Sequence, residues 1–191
     1  MKLILASQSP RRKELLGLLG IPFIIQVSQA DETMEPGKAP DQQVAEVSRR
    51  KAQATLAEPE DVVIAADTIV VCDGQILGKP RNAQDACRML SMLSGRTHQV
   101  MTGMTVRYQD RYISCTEVTQ VTFRALTERE ILRYVQTGEP MDKAGAYGIQ
   151  GGAAIFVESL QGDYYNVVGL PVCRLVQLLG QTVPELMEET I

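Results

Sequence analysis

The stretch Lys2–Gly20 reads KLILASQSPRRKELLGLLG. Leu3 to Ala6 is an apolar run of strand length. Ser7 to Ser9 is a polar turn, and Pro10 to Leu19 reads as a helix. Ser9 suits the N-cap, Pro10 the first helical position and Gly20 the stop. A strand that passes through a short turn into a helix points to a fold in which the two alternate. The helix start carries an oddity. Arg11, Arg12 and Lys13 occupy its first turn, where the partial positive charge of the helix disfavours cations. Either they form a solvated face, or something negative sits there. Free backbone N–H groups at a helix start bind anions, and the hydroxyls of Ser7 and Ser9 add donors.

Outward from this unit, strands and helices continue to mix. Strands are expected at Phe23–Val27, Val62–Val71, His98–Tyr108, Tyr112–Phe123, Ala154–Val157 and Tyr164–Val168. A turn and short strand are expected in CDGQILGKPRN, Cys72–Asn82. Helices are expected at Gln42–Leu56, capped by Asp41, and at Ala83–Leu93. Another follows Thr127, where Glu130 completes a capping box and Gly138 ends the helix. The last full helix is expected at Leu170–Leu179, with Gly180 as stop. The pattern predicts an α/β (mixed α+β) fold. No repeat or low-complexity segment interrupts it, and the whole chain, 1–191, reads as one domain.

Composition narrows the function. The 191 residues are 45% hydrophobic and 22% charged, as in a globular protein, and the final VPELMEETI is the one stretch that suggests disorder. A net charge of −4 argues against bulk binding to nucleic acid, though not against a local basic pocket. Apolar runs are too short to span a membrane or serve as a signal peptide, so a cytoplasmic protein is expected. Cys72, Cys87, Cys115 and Cys173 lack zinc spacing and are expected to be partly buried structural thiols. His98 is the sole histidine, which argues against a His-rich metal site. Any metal would be held by carboxylates, which favours Mg²⁺ or Mn²⁺.

Several residues resist a purely structural reading. Asp67 interrupts the apolar run VVIAADTIVV, where an unpaired carboxylate is costly. It is either satisfied by backbone donors or held at the floor of a cleft as metal ligand or general base. Lys51 falls between Val44 and Val47 on a helical wheel, on the inward stripe. It either snorkels past the core edge or aims a cation into a site. Asp31 and Glu32 follow a strand, and Lys79 sits in a turn; both positions are ordinary for solvated charges. MDKAGAYGIQGG, Met141–Gly152, packs Lys143, four glycines and Gln150 into one loop. It is either a tight structural turn or a place where backbone approaches a ligand and Gln150 meets a base edge. No P-loop or Rossmann glycine pattern is present. Cations, two carboxylates and a polar loop together suit a polyphosphate with a divalent metal.

The motifs LASQSPRRKELL, AADTIV, LGKP, LSGRTHQVMTG and MDKAGAYGIQG…YYNVVGLP resemble the Maf family of nucleoside triphosphate pyrophosphatases, in order, from about Leu3 to Leu179. The resemblance implies a two-lobed fold similar to the inosine triphosphate pyrophosphatases, with a central twisted mixed sheet and a cleft between lobes. It implies hydrolysis of a nucleoside triphosphate to monophosphate and pyrophosphate with a divalent metal, Mg or Mn. Asp67 matches the proton acceptor and, with Glu32, a metal ligand. Ser9, Arg12, Lys51 and Lys79 match residues around the phosphates. Arg12, Thr68 and Gln150 match positions that set substrate choice. Their combination resembles the branch acting on dTTP and UTP, with a place in nucleotide-pool cleaning and cell-division arrest. The branch acting on 7-methyl-GTP typically differs at each of these places. Other readings are a nucleotide-binding division regulator with little catalysis and a generic phosphate-ester hydrolase. The expected partner is the nucleotide, with no nucleic acid or membrane; a homodimer is the assembly considered.

Overall fold

The computed structural model describes residues 1–35 and 37–188. Its strands are β1 (Leu3–Leu5), β2 (Phe23–Ile25), β3 (Val62–Cys72), β4 (Gln75–Leu77), β5 (Thr97–Tyr108), β6 (Arg111–Phe123) and β7 (Val157–Gln161). The helices are α1 (Pro10–Gly17), α2 (Pro40–Ala54), α3 (Ala83–Leu93), α4 (Glu128–Gln136), α5 (Tyr164–Val168), α6 (Val172–Thr182) and α7 (Pro184–Met187). One mixed sheet has the order β2-β1-β3-β5-β6-β7, and β4 pairs with β3. β1 runs parallel to both β2 and β3, whereas β3–β4 and β6–β7 are antiparallel. The expected mixed α/β class is thus realised. By its internal contacts the chain divides into two units: Met1–Asp67 with Thr102–Glu117 and the segment from Gly169 on, and Thr68–Met101 with Val118–Val168.

In the first unit, β1 is wholly buried and flanked by parallel neighbours on both sides. That is why it reads as a continuous apolar run without alternation. Ile4, Ala6, Val63 and Ala65 form a cluster with Ala52 of α2. Gly103 in β5 lies directly under α2; a side-chain carbon there would stand 2.3 Å from the Val44 carbonyl oxygen. The close approach of helix and strand requires glycine. The second unit is built around Val70, Leu90, Phe123, Tyr134, Tyr147 and Phe156. His98 belongs to this core, its Nε2 2.8 Å from the Tyr147 hydroxyl and its ring edge-on to Phe123.

Five expectations are corrected. α2 starts at Pro40, not after Asp41; the fixed φ and missing N–H of proline suit the first helical position, and Asp41 sits in the first turn instead. Ala154–Phe156 belongs to a 3-10 turn, and the strand begins only at Val157. Tyr164–Val168 is helical: Asp163 Oδ1 accepts from Tyr165 N at 2.7 Å and turns the chain, and Asn166 is drawn into the core by Val100 and Thr119. Gly180 does not end α6, which runs on to Thr182, whose hydroxyl donates to the Leu178 carbonyl. The four thiols are free, but only Cys72 is fully buried and Cys173 is exposed. Of the tail VPELMEETI, Pro184–Met187 is helical and residues 189–191 lie outside the described residues. Among the described residues no helix is long and apolar enough to cross a membrane.

Candidate active site

The parallel arrangement of β2, β1 and β3 decides where the polar residues of the first unit meet. Leu5 is in register with Ile25 on one side and Ile64 on the other. Beyond that rung β1 ends and turns through Ser7 and Ser9 into α1. β2 ends and opens into the loop carrying Asp31 and Glu32. β3 alone continues, through Ala65 and Ala66 to Asp67. The carboxyl ends of adjacent parallel strands are where open α/β sheets collect ligand-binding loops. Asp67 shares a face with Val63 and Ala65 by strand alternation. α2 packs on that face through Ala52, so the neighbouring Lys51 is delivered to Asp67.

Lys51 is the hub of the cluster. It is 7% exposed, and its ammonium lies 2.6 Å from Asp67 Oδ1 and 3.0 Å from Glu32 Oε1. The Asp67 side chain is 16% exposed and that of Glu32 61%. Of the two readings of Lys51, the structure supports the aimed cation. An ion pair this far from water persists only where geometry offsets the desolvation of both charges. Glu32 is brought in by its loop rather than by a strand. Arg50 donates to the Thr33 carbonyl at 2.6 Å and faces Asp31, and Asp31 accepts from Thr33 N. The side-chain and backbone bonds from Thr33, with the charge of Arg50, hold the Asp31 carboxyl below its ordinary range. Asp31 thus shapes the loop, and Glu35 pairs with Lys38.

Arg12 resolves the charge anomaly of α1. Ser9 caps the helix, its hydroxyl accepting from Arg12 N at 3.4 Å. The Arg12 side chain folds back, donating from Nε to the Gly169 carbonyl at 2.8 Å and from Nη1 to Ser7 Oγ at 3.3 Å. Desolvation lowers its ionisation from the usual arginine value; the charges of Asp67 and Glu32 oppose that fall and Arg11 adds to it. The charges of Asp67 and Glu32 thus offset part of the cost of burying the guanidinium. Lys13 is exposed. Gly169, at φ 126°, was not legible as a site residue, because a backbone carbonyl leaves no sequence signature; its place in YYNVVGLP was the one available signal.

In the first unit, then, Ser9, Arg12, Glu32, Lys51 and Asp67 come together. Thr68, Lys79 and Gln150 belong to the second unit. Thr68 is half-buried in β3, and Lys79 lies on an exposed bend. That bend is tied to the glycine-rich loop by Gly145 N donating to the Gly78 carbonyl at 3.1 Å. Gln150 stands exposed on the same loop. The glycines there approach protein rather than open space: a side-chain carbon on Gly151 would lie 2.1 Å from Glu139 Oε1, and one on Gly148 2.6 Å from Lys143 Cε. Lys143 itself is folded onto the Glu139 carbonyl and Asp142. The structural-turn reading of those glycines therefore holds.

Two carboxylates, Asp67 and Glu32, already converge on one cation, the Lys51 ammonium. Among the described residues no group of three or more His, Cys, Asp or Glu is arranged to hold a metal. The donor set fits a hard divalent ion that takes one or two carboxylates and completes its shell with phosphate oxygens and water.

A family model described as Maf-like protein matches residues 2–182. The chain belongs to the Maf family. It is similar to Maf relatives named dTTP/UTP pyrophosphatase. With that of Bacillus pumilus (strain SAFR-032) it shares 51% identity over 179 residues, 93% of this chain and 95% of the relative. The protein of Bacillus velezensis (strain DSM 23117 / BGSC 10A6 / LMG 26770 / FZB42) is 50% identical over 181 residues, covering 94% and 96%. That of Bacillus cereus (strain AH820) is 51% identical over 181 residues, covering 94% and 95%. Among solved structures, a HAM1 protein from Coxiella burnetii aligns over 95% of this Maf chain and 100% of its own, with 16% identity and a TM-score of 0.49. A likeness of that size carries no argument.

Proposed function

We propose that this chain is a nucleoside triphosphate pyrophosphatase that converts dTTP and UTP to the monophosphate and pyrophosphate. The observation that carries this reading is the convergence of Arg12, Lys51, Glu32 and Asp67 at the ends of three parallel strands. Near-full-length identity of about half to relatives named for that activity supports it.

In this reading the triphosphate lies on Ser9, Arg12 and Lys51, and its charge answers the cations gathered at the start of α1. Asp67 takes a proton from a water molecule. That water attacks the α-phosphorus, a new P–O bond forms, and the bond to the bridging oxygen breaks. Pyrophosphate leaves with its charge offset by Arg12 and Lys51. Asp67 Oδ1 accepts from Lys51 at 2.6 Å, which fixes the carboxylate. Mg²⁺ or Mn²⁺ would be held by Glu32 and Asp67 and would supply charge neutralisation on the phosphates. Thr68 and Gln150 would read the base; a glutamine amide can pair with the O4/N3 edge of thymine or uracil. Sites that hydrogen-bond their substrate reject analogues that leave those groups unpaired. The reading sets the enzyme in the cytoplasm, where free nucleotides are, as one chain or a homodimer.

A panel of dTTP, UTP, CTP, GTP and 7-methyl-GTP, assayed for pyrophosphate release with and without Mg²⁺, tests it. Preference for dTTP and UTP is expected. Preference for 7-methyl-GTP, or no release from any of the five, would overturn it.

A further inference from the structure

Gln150 occupies the third place of a four-residue turn, Gly148–Gly151, closed by Gly151 N donating to the Gly148 carbonyl at 3.0 Å. Ile149 packs against the core, while Gln150 stands exposed. Both ends of this turn are fastened to one pair of side chains. Gly148 N donates to the Tyr134 hydroxyl at 3.1 Å. Gly152 N donates to Glu139 Oε2 at 3.0 Å. The pair is joined in turn, since the Tyr134 hydroxyl donates to Glu139 Oε1 at 2.9 Å. Glu139 N is itself held by the Thr137 hydroxyl at 3.2 Å, just past the end of α4. The glycine at 151 leaves room for the Glu139 carboxylate, which a side chain there would strike, and one at 148 would strike Lys143.

The chemistry of this post is specific. Tyr134 is buried, and burial pushes its ionisation far up, so its hydroxyl stays a donor. Both carboxylate oxygens of Glu139 accept, one from each side. A glutamine there has one acceptor oxygen: its NH₂ either opposes the Gly152 N–H or donates to the Tyr134 oxygen, which already accepts from Gly148 N, and leaves the Tyr134 O–H without its acceptor. One end of the turn then comes loose without any change in side-chain volume.

We propose that Glu139, braced by Tyr134, is a positioning residue that sets base discrimination by holding Gln150 in place. The proposal rests on the reading that Gln150 meets the base. Misplacing a recognition group by about 1 Å can cost ~100-fold in rate; a loosened turn that still samples the right position should cost less.

The test compares kcat/KM for dTTP with that for CTP in wild type, Gln150→Ala, Glu139→Gln, Tyr134→Phe and the double variant Glu139→Gln/Gln150→Ala. The ratio within one preparation does not depend on the folded fraction, so it separates positioning from stability. Gln150→Ala is expected to lower the dTTP:CTP ratio. Glu139→Gln and Tyr134→Phe should each lower it about tenfold, the worth of ~1.4 kcal/mol, with kcat on dTTP within about threefold of wild type. The double variant should match Gln150→Ala. If Gln150→Ala lowers the ratio and both Glu139→Gln and Tyr134→Phe leave it unchanged, the proposal falls while the role of Gln150 stands. If Gln150→Ala itself leaves the ratio unchanged, the base-reading role fails and the proposal with it. Should Glu139→Gln fail to fold, Tyr134→Phe decides alone.

Discussion

Replacing Asp67 by asparagine keeps shape and volume and removes only the charge and the basic oxygen. Lys51 Nζ lies 2.6 Å from Asp67 Oδ1, and asparagine can still accept that bond as a neutral oxygen. With Lys51 still cationic the bond stays charge-assisted, so it keeps the low end of the about 1.5–3 kcal/mol that bonds to charged groups contribute, and what goes is the attraction between two full charges. The expected loss is therefore about 1–2 kcal/mol, because Lys51 keeps its second partner, Glu32. In a chain of this length, each kcal/mol moves Tm by about 2–4 °C, so Tm should fall by roughly 2–8 °C and the protein stays folded at room temperature. Turnover should behave quite differently. Loss of a general base costs ~100-fold or more in kcat. With Mg²⁺ held saturating to offset the weakened metal ligand, substrate binding should not weaken, because a negative charge beside the proposed triphosphate position has gone; KM should stay or drop. The assay is pyrophosphate release from dTTP under saturating Mg²⁺, run beside a thermal melt of the same preparation. A kcat within tenfold of wild type would refute the role of Asp67. So would a Tm loss large enough to account for the missing activity, since that would make the residue structural.

Other outcomes follow from the same contacts. Arg12→Lys should raise KM for dTTP at least tenfold, because an ammonium cannot reproduce the fork that engages Ser7 Oγ and the Gly169 carbonyl together; steady-state kinetics would read this. Burial lowers the His98 ionisation from 6.5 to about 4. The unfolded chain therefore binds the proton first, and stability fully present above pH 6.5 is lost as pH falls toward 4, by about 3 kcal/mol. His98→Gln should flatten that part of a Tm-against-pH curve, and an unchanged curve would contradict it. Gly103→Ala should destabilise by about 1–3 kcal/mol, read by urea melts, because the added carbon meets the Val44 carbonyl of α2.

Much of the site was legible because its residues break local rules. Cations at the wrong end of α1, a carboxylate inside an apolar strand and a lysine on a buried helical stripe each carry a cost that needs a partner. The cluster Arg11–Lys13, Asp67 and Lys51 were visible for that reason, and the family resemblance singled out Arg12 among the three cations; the structure supplies partners for Arg12, Asp67 and Lys51. Glu32 breaks no rule. An exposed loop carboxylate is ordinary, and only the family resemblance pointed to it; its approach to Lys51 depends on how Arg50 holds the loop. Gly169 acts through its carbonyl and Glu139 through bonds to backbone N–H groups, so neither side-chain pattern nor spacing could reveal them. Among the elements, the start of α1 and the α4 capping box were legible from caps. Tyr164–Val168 was not: two tyrosines and two valines favour a strand by propensity, but Asp163 and the buried Asn166 override it.

The most direct test follows the oxygen of the attacking water. Incubation with dTTP and Mg²⁺ in H₂¹⁸O, with products resolved by mass spectrometry, should give equal amounts of dTMP and pyrophosphate, with ¹⁸O in dTMP alone. Label in pyrophosphate, or release of dTDP and inorganic phosphate, would contradict attack at the α-phosphorus and with it the proposed chemistry of Asp67.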